Sequence, residues 1–240
     1  MSDIKTQEAF DDIFSLVEDK YSISLELPSK GIGYNHTKGL VNIRTMTFED
    51  EKFIASYTGD SILDDLIKRC VSDVDLDELY LEDKLFLYYK MREQSFGSFI
   101  KTNASCRHCG TLNNLEIDMS KLNITYADDN FKDPIEVTLP TLKKTVVVKK
   151  MRSDLQRYAV NDSMLLDNLW RFVIKIDSYT DGVLISKVIK KLSSSDIRFI
   201  MSQINKTSFG IDTKAKFICN KCSKENISDV GLGFDFFTVS

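Results

Sequence analysis

Apolar and polar positions alternate in short segments between turn residues, which is the pattern of half-buried β-strands. Residues 21–27 alternate in this way, with Ile23 and Leu25 apolar, and we predict a second strand over residues 40–44. The loop that follows the first segment contains two glycines and a lysine but lacks the spacing of a phosphate-binding P-loop. We therefore predict two strands joined by a turn.

Apolar residues at helical spacing predict several amphipathic helices. Thr47 should cap one of them, with Phe48, Phe53 and Ile54 buried. A helix over residues 82–94 is rich in aromatic side chains, and we favour a core position for them over a partner-facing surface. The further predicted stripes are Ile62, Leu63, Leu66, Ile67 and Cys70; Leu165, Leu166, Leu169, Trp170, Val173 and Ile174; and Val183, Leu184, Val188, Ile189 and Leu192.

The amino-terminal residues 3–19 are acidic and polar, with a few apolar positions at helical spacing. Phe10, Ile13, Phe14 and Val17 lie on one face of the predicted helix. We expect this helix to pack either on the body of the protein or on a partner.

Two C-x-x-C segments use four of the five cysteines: Cys106 and Cys109 in the first, Cys219 and Cys222 in the second. Each follows a Phe-Gly pair by ten residues, and residues 83–109 align with residues 196–222 without a gap. We call each C-x-x-C segment a knuckle. The first knuckle lies between two predicted strands, an order that is typical of half a zinc ribbon. We hypothesise a degenerate internal duplication in which each half supplies two thiolates to one tetrahedral metal site.

Two C-x-x-C segments with four cysteines predict one zinc ion, and four protein ligands leave no open position, so the site is structural. Iron in an all-sulfur site makes the same ligand demand and stays an alternative. A redox C-x-x-C, two disulfides and unrelated buried thiols also compete, although a thioredoxin-type site needs only one C-x-x-C. We expect Cys70 to be a small buried apolar residue.

Composition narrows the classes of function. The formal net charge of −4 disfavours a general nucleic-acid binder. No apolar run has the length of a membrane span, the first residues lack the features of a signal peptide, and the cysteine usage fits a reducing compartment. The motifs of serine and cysteine hydrolases, zinc proteases, P-loop enzymes and dinucleotide-binding enzymes are all missing, so we predict that the protein is not an enzyme.

The element pattern predicts an α+β fold built from two pseudo-repeated lobes of short strands and helices, joined by the split four-cysteine site. We assign residues 1–20 to an amino-terminal helical segment, 21–130 to the first lobe and 131–240 to the second. The second lobe begins with paired strand segments at 134–140 and 144–151. The apolar tail, residues 230–237, packs into the fold or offers an edge strand to a partner.

Several segments together resemble one known family. They are Leu27-Pro28-Ser29-Lys30-Gly31, residues 41–47 with the acidic residues 49–51, Gln94-Ser95-Phe96-Gly97, and the first C-x-x-C. From about Leu25 to the second knuckle the chain resembles baseplate hub proteins of T4-like contractile-tailed bacteriophages.

That resemblance implies a non-enzymatic hub component or an assembly factor that delivers other hub or tape-measure proteins. It implies a location in the virion tail baseplate, or in the host cytoplasm during assembly, and brings no catalytic residues.

Two other functions stay open. One is a zinc-ribbon nucleic-acid-binding accessory protein of a phage, and the other is a metal-dependent or redox enzyme acting through the cysteines. The basic residues near the knuckles support the first, but they equally balance the negative charge of a zinc–tetrathiolate centre. They are Arg107, Lys214, Lys216, Lys221 and Lys224.

Overall fold

Small antiparallel sheets and helices alternate along the chain, which gives a mixed α and β architecture, as expected. The computed structural model describes residues 22–59, 61–206, 208–232 and 234–237, so the helix predicted over residues 3–19 lies outside it. The strands are β1 (Ser22–Glu26), β2 (Leu40–Arg44), β3 (Val71–Ser72), β4 (Phe99–Ser105), β5 (Leu112–Asp118), β6 (Ile124–Thr125), β7 (Ile135–Thr138), β8 (Thr145–Val148), β9 (Val173–Ile176), β10 (Gly210–Ile211), β11 (Lys214–Ile218) and β12 (Glu225–Asp229). The α-helices are α1 (Phe48–Ala55), α2 (Ile62–Cys70), α3 (Leu81–Phe96), α4 (Ser153–Gln156), α5 (Asp162–Asn168), α6 (Gly182–Ile189) and α7 (Ser194–Ile204), and short 3-10 helices span Leu76–Glu78, Met119–Lys121, Leu169–Phe172 and Phe234–Phe237.

Two three-stranded antiparallel sheets organise the body of the protein, in the orders β1-β2-β3 and β7-β8-β9. The first strand of each sheet leads into a fully buried leucine, Leu27 in one case and Leu139 in the other. A turn then reverses the chain, with Lys30 and Lys143 at φ values of 55° and 58°. The strands predicted at residues 21–27, 40–44, 134–140 and 144–151 therefore correspond to β1, β2, β7 and β8, whereas β3 and β9 are not predicted as strands.

An aspartate at the start of a helix fixes the loop after each buried leucine. Asp83 in the first turn of α3 accepts hydrogen bonds from the Ser29 N–H at 3.0 Å and from the Tyr34 hydroxyl at 2.6 Å. Asp196 in the first turn of α7 accepts bonds from the N–H groups of Thr141 and Leu142, at 2.7 and 3.2 Å. Both carboxylates are buried, and each satisfies backbone donors that would otherwise lack partners.

Two apolar cores form around the two sheets, and the aromatic residues of α3 belong to the first one, as expected. The carboxyl-terminal tail also packs into this first core, through Val230, Phe236 and Phe237. The buried hydroxyl of Tyr89 on α3 donates a hydrogen bond to the carbonyl oxygen of Val230. The tail is thus part of the fold, and Phe236 and Phe237 do not form an exposed edge strand.

A polar network centred on Asp133 links segments from the two halves of the chain. The Asp133 carboxylate is 2% exposed and accepts bonds from the Arg152 guanidinium at 2.6 Å, the Tyr80 hydroxyl at 2.8 Å and the Lys150 N–H at 2.7 Å. Arg152 also donates to the Gly33 carbonyl oxygen at 2.8 Å. The Asp133–Arg152 ion pair therefore connects the loop after β1, the start of α3 and the segment after β8.

Four details of the predicted helices are wrong, the first being that Leu166 on α5 is 47% exposed. Phe48 is 71% exposed, because it is the first residue of α1 and its ring lies under the Lys52 ammonium group instead of in the core. Val173 and Ile174 belong to strand β9, not to a helix, since this β-branched segment pairs with β8 after the 3-10 helix ends. On α6, Val183 and Leu184 are exposed while Ile185 and Ile189 are buried.

Burial of Asp83 predicts a specific pH dependence of stability. Desolvation raises the pKa of Asp83 to about 6, although the bonds from Ser29 and Tyr34 oppose the shift. The unfolded value is about 3.9, so the contribution of Asp83 is fully present below pH about 4 and is lost as the pH rises through about 6. Between these values, wild-type stability relative to Asp83→Asn should fall by about 2 to 3 kcal/mol.

Urea unfolding at intervals from pH 4 to 7.5 measures this difference. The exposed Asp129 provides the control, because Asp129→Asn should leave the pH profile of the wild type unchanged. Parallel profiles for the wild type and Asp83→Asn would contradict the account.

Candidate metal centre

Two β-hairpins present the four cysteines at their turns. The first hairpin is formed by β4 and β5 and the second by β11 and β12, each antiparallel. The Cys106 N–H donates to the Thr111 carbonyl at 2.8 Å, and the Cys219 N–H donates to the Lys224 carbonyl at 3.0 Å. The fourth residue after each of these cysteines has a positive φ, 71° at Gly110 and 56° at Ser223. The two turns thus share one backbone conformation.

The turns bring the four predicted ligand residues together. Cys106 Sγ lies 3.6 Å from Cys222 Sγ, and Cys109 Sγ lies 3.7 Å from Cys219 Sγ. All four sulfurs lie within 4.8 Å of one another. These separations exceed a disulfide bond of about 2.05 Å, and all four thiols are free. They are close to the edge of about 3.8 Å that a tetrahedron with zinc–sulfur bonds of about 2.3 Å requires.

Two buried asparagines connect each hairpin to the cysteines of the other. Asn226 on β12 donates from Nδ2 to Cys106 Sγ at 3.4 Å and accepts from the Arg107 N–H at 3.0 Å. Asn113 on β5 donates from Nδ2 to Cys219 Sγ at 3.8 Å and accepts from the Asn220 N–H at 2.9 Å.

Both asparagine side chains also bond to their own hairpins, Asn113 to the Thr111 carbonyl and Asn226 to the Lys224 carbonyl, each at 2.8 Å. We call this reciprocal arrangement of Asn113 and Asn226 the asparagine clasp. The clasp fixes the relative position of the two turns through hydrogen bonds to backbone N–H groups and to cysteine sulfurs.

Backbone N–H groups stabilise negative charge on one cysteine of each turn. At Cys219, the N–H of Cys222 has the largest effect, and with the Lys221 N–H it lowers the pKa of the thiol. At Cys106, burial opposes ionisation, but the N–H groups of His108 and Cys109 give a net lowering of the pKa. Because a thiolate and not a thiol is the metal ligand, these bonds prepare the site for a cation.

The environment of Cys222 shows what a cation would contribute at this site. The Lys224 N–H favours the Cys222 thiolate, yet burial and the neighbouring sulfurs together raise the pKa of that thiol. Four sulfurs so close together do not all carry negative charge unless a positive charge lies between them. The donor set, its spacing and its N–H···S bonds therefore fit a tetrahedral thiophilic metal ion.

Sequence reasoning missed the asparagine clasp, although a signal for it was present. Extending the ungapped alignment four residues past Cys109 and Cys222 places Asn113 over Asn226. Of the five basic residues near the knuckles, Lys216 pairs with Glu225 at 3.2 Å. His108 is exposed, and its backbone N–H, not its ring, contacts the Cys106 sulfur.

Loss of the asparagine clasp should weaken metal binding. Residues that orient metal ligands typically contribute about 10- to 100-fold to affinity, so Asn226→Ala should raise the zinc dissociation constant by about that factor. Competition with a chromophoric chelator measures the constant. Asn114 is the matched control, since it is adjacent to Asn113 but exposed; an Asn226→Ala affinity equal to that of Asn114→Ala would contradict the role of the clasp.

Comparison with known proteins supplies the family. A family model described as T4 bacteriophage base plate protein matches residues 19–169, which is more than half of the chain and includes the first knuckle. Neither the curated proteins nor the solved structures give a match. Among the described residues, no helix combines the length and apolar character needed to cross a bilayer. From the extent of the family match, the chain belongs to the T4 bacteriophage base plate protein family.

Proposed function

We propose that the protein is a non-enzymatic structural or assembly component of a phage tail baseplate hub, held in shape by one structural zinc ion. The family gives the structural role in the baseplate. The observation that carries the finer proposal is the convergence of Cys106, Cys109, Cys219 and Cys222 from hairpins 113 residues apart in the chain. A metal ion there ties distant parts of the chain into one rigid unit.

The metal role follows from the ligand set. With four sulfur ligands the ion keeps no position for water or substrate, so it contributes to folding and not to a reaction. Apparent binding free energies of structural zinc are about 10–16 kcal/mol at neutral pH and are coupled to folding. Zinc is the proposed ion, and iron satisfies the same four sulfurs.

The proposal includes an internal duplication with lobes at residues 21–130 and 131–240, preceded by the segment 1–20. Several matched features support it: the two three-stranded sheets, the aspartates at the starts of α3 and α7, and the two turns. The asparagine clasp supports it further, because Asn113 and Asn226 have the same spacing as the cysteines and make equivalent bonds. Packing of Phe236 and Phe237 in the first core then makes the lobes interdependent.

A rigid platform suits an assembly role. Pre-organised surfaces reduce the entropy that is lost when proteins associate. Baseplate membership implies contacts with other tail or baseplate proteins. We propose hub proteins, and the tape-measure protein as cargo, as those partners. The protein would act in the host cytoplasm during assembly or remain in the virion baseplate.

Affinity purification of the tagged protein from infected cells, followed by mass spectrometry, tests this function. Tail or baseplate proteins should be enriched over a tag-only control. A Cys219→Ser variant serves for comparison, because loss of the metal site should reduce the recovery of these proteins. Absence of tail proteins, together with normal tails in phage lacking the gene, would contradict the proposal, and recovery of nucleic acid instead would favour a zinc-ribbon nucleic-acid module.

A further inference from the structure

Two arginines and two aromatic residues pack together beside the second core. The Cζ atom of Arg171 lies 4.0 Å from the ring centroid of Tyr158 and 4.4 Å from that of Trp170. The Cζ atom of Arg157 lies 5.0 Å from the same Tyr158 ring. Both aromatic side chains are half-buried and pack against the second core. We call these four residues the arginine–aromatic cluster, and its cation–π contacts restrict the movement of the guanidinium groups.

Helix α5 also fixes the position of Arg171. The Nε atom of Arg171 donates a hydrogen bond to Asn168 Oδ1 at 3.2 Å, and Asn168 Nδ2 donates to the Met164 carbonyl oxygen at 2.9 Å. The two terminal nitrogens (Nη) of Arg171 bond to none of the described residues, and both are accessible to solvent. Arg171 therefore offers free N–H donors on a guanidinium group that two rings and one amide already orient.

No carboxylate in the described part of the chain pairs with either arginine of the cluster. Asp154, Asp162 and Asp167 are close to them in the sequence, yet none forms an ion pair with Arg157 or Arg171. The whole protein has a formal net charge of −4, so two unpaired guanidinium groups form a local positive surface on an acidic molecule. Such a surface selects where an acidic partner can bind, because other acidic surfaces repel it.

We propose that the arginine–aromatic cluster binds an acidic segment of a partner protein, with one carboxylate of that segment accepting hydrogen bonds from both Nη groups of Arg171. A guanidinium group and a carboxylate match in such a bidentate pair. Arginine, tyrosine and tryptophan also contribute most of the binding energy at many protein interfaces. Nucleic acid is a poorer match, because stacked bases need free ring faces, whereas guanidinium groups pack on both rings here. The proposal rests on the proposed assembly role only for the identity of the partner.

Fluorescence anisotropy with fluorescein-labelled hexaglutamate and the full-length, metal-containing protein tests the proposal. The wild type should bind this probe, and Arg171→Gln should weaken the affinity about tenfold or more through loss of the charged donors. Arg171→Lys should also bind weakly, because lysine keeps the charge but not the bidentate geometry. Arg157→Gln should reduce the affinity as well. Arg198→Gln is the matched control, since Arg198 is exposed on α7 outside the cluster and its removal should leave the affinity unchanged.

Several results would overturn the proposal. They are a wild type that does not bind hexaglutamate, and equal affinities for Arg171→Gln and Arg198→Gln. Tighter binding of single-stranded oligothymidylate than of hexaglutamate would assign the cluster to nucleic acid instead, and a wild-type dimer that Arg171→Gln dissociates would assign it to a second copy of the chain.

Two further measurements separate this proposal from other effects. Metal content and the circular dichroism spectrum should stay at wild-type values in Arg171→Gln. If that variant does not fold, Arg157→Gln decides the question, because the Arg157 side chain is exposed. Equal recovery of baseplate proteins from infected cells by the wild type and a folded Arg171→Gln would overturn the partner site while leaving the baseplate function intact.

Discussion

Cys219→Ser should lose its bound metal and be strongly destabilised. One ligand is removed from a four-sulfur site whose binding energy is coupled to folding, so we expect a loss of about 5 kcal/mol or more. For a protein of this size, that corresponds to a fall in the unfolding midpoint of about 10–20 °C. Thermal unfolding with parallel metal analysis measures both effects.

Cys70 provides the control for this experiment. It is a free, buried thiol in the first core and lies outside the four-cysteine cluster. Cys70→Ala should keep its full metal content and lose about 1 kcal/mol, the ordinary cost of a small core change. A structural metal site would be contradicted if Cys219→Ser retained its metal. It would also be contradicted if Cys219→Ser and Cys70→Ala had the same unfolding midpoint.

Asp133→Ala should destabilise the protein without changing its metal content. The substitution removes the acceptor for Arg152, whose side chain is 15% exposed, and also the acceptor for the Lys150 N–H. Loss of one partner of a buried ion pair costs about 3–5 kcal/mol because the other charge stays desolvated. Denaturant unfolding gives the free energy, and metal analysis should still give the wild-type ratio.

The matched variant is Asp129→Ala, four residues earlier in the same loop. Asp129 is fully exposed and lies 3.9 Å from its nearest lysine, so its removal should change stability by less than about 0.5 kcal/mol. Equal stabilities for Asp133→Ala and Asp129→Ala would show that the Asp133 network does not stabilise the fold.

Much of the fold and the cluster of cysteines follow from local patterns in the sequence. Alternation identifies β1, short apolar segments identify β2, β7 and β8, and the strands that flank the first C-x-x-C segment identify the first hairpin. The equal spacing of the two Phe-Gly pairs from the cysteines led to the expectation that distant thiols converge, and the four sulfurs do lie together.

Other features depend on tertiary contacts that no local pattern encodes. Val173 and Ile174 have spacing that suits a helix, but pairing with β8 selects a strand. Phe48 is apolar, yet the position of α1 is set by the buried Asp50, whose carboxylate pairs with Arg44 and Arg69 at 2.6 and 2.8 Å.

The Asp133 network shows the same limit. Asp133 and Arg152 are ordinary charged residues in the sequence, and only the folded chain shows that they form a largely buried ion pair. The asparagine clasp could be predicted only in part. The ungapped alignment of the two cysteine regions shows the matching positions of Asn113 and Asn226, but only the structure shows their hydrogen bonds to sulfur.

The most direct test of the central claim is X-ray absorption spectroscopy of protein purified without added metal, combined with elemental analysis. A single ion held by both knuckles predicts about one zinc per chain, with four sulfur ligands at about 2.3 Å. Less than about half an equivalent of any transition metal, or a first shell containing only two sulfurs, would contradict a shared four-cysteine site.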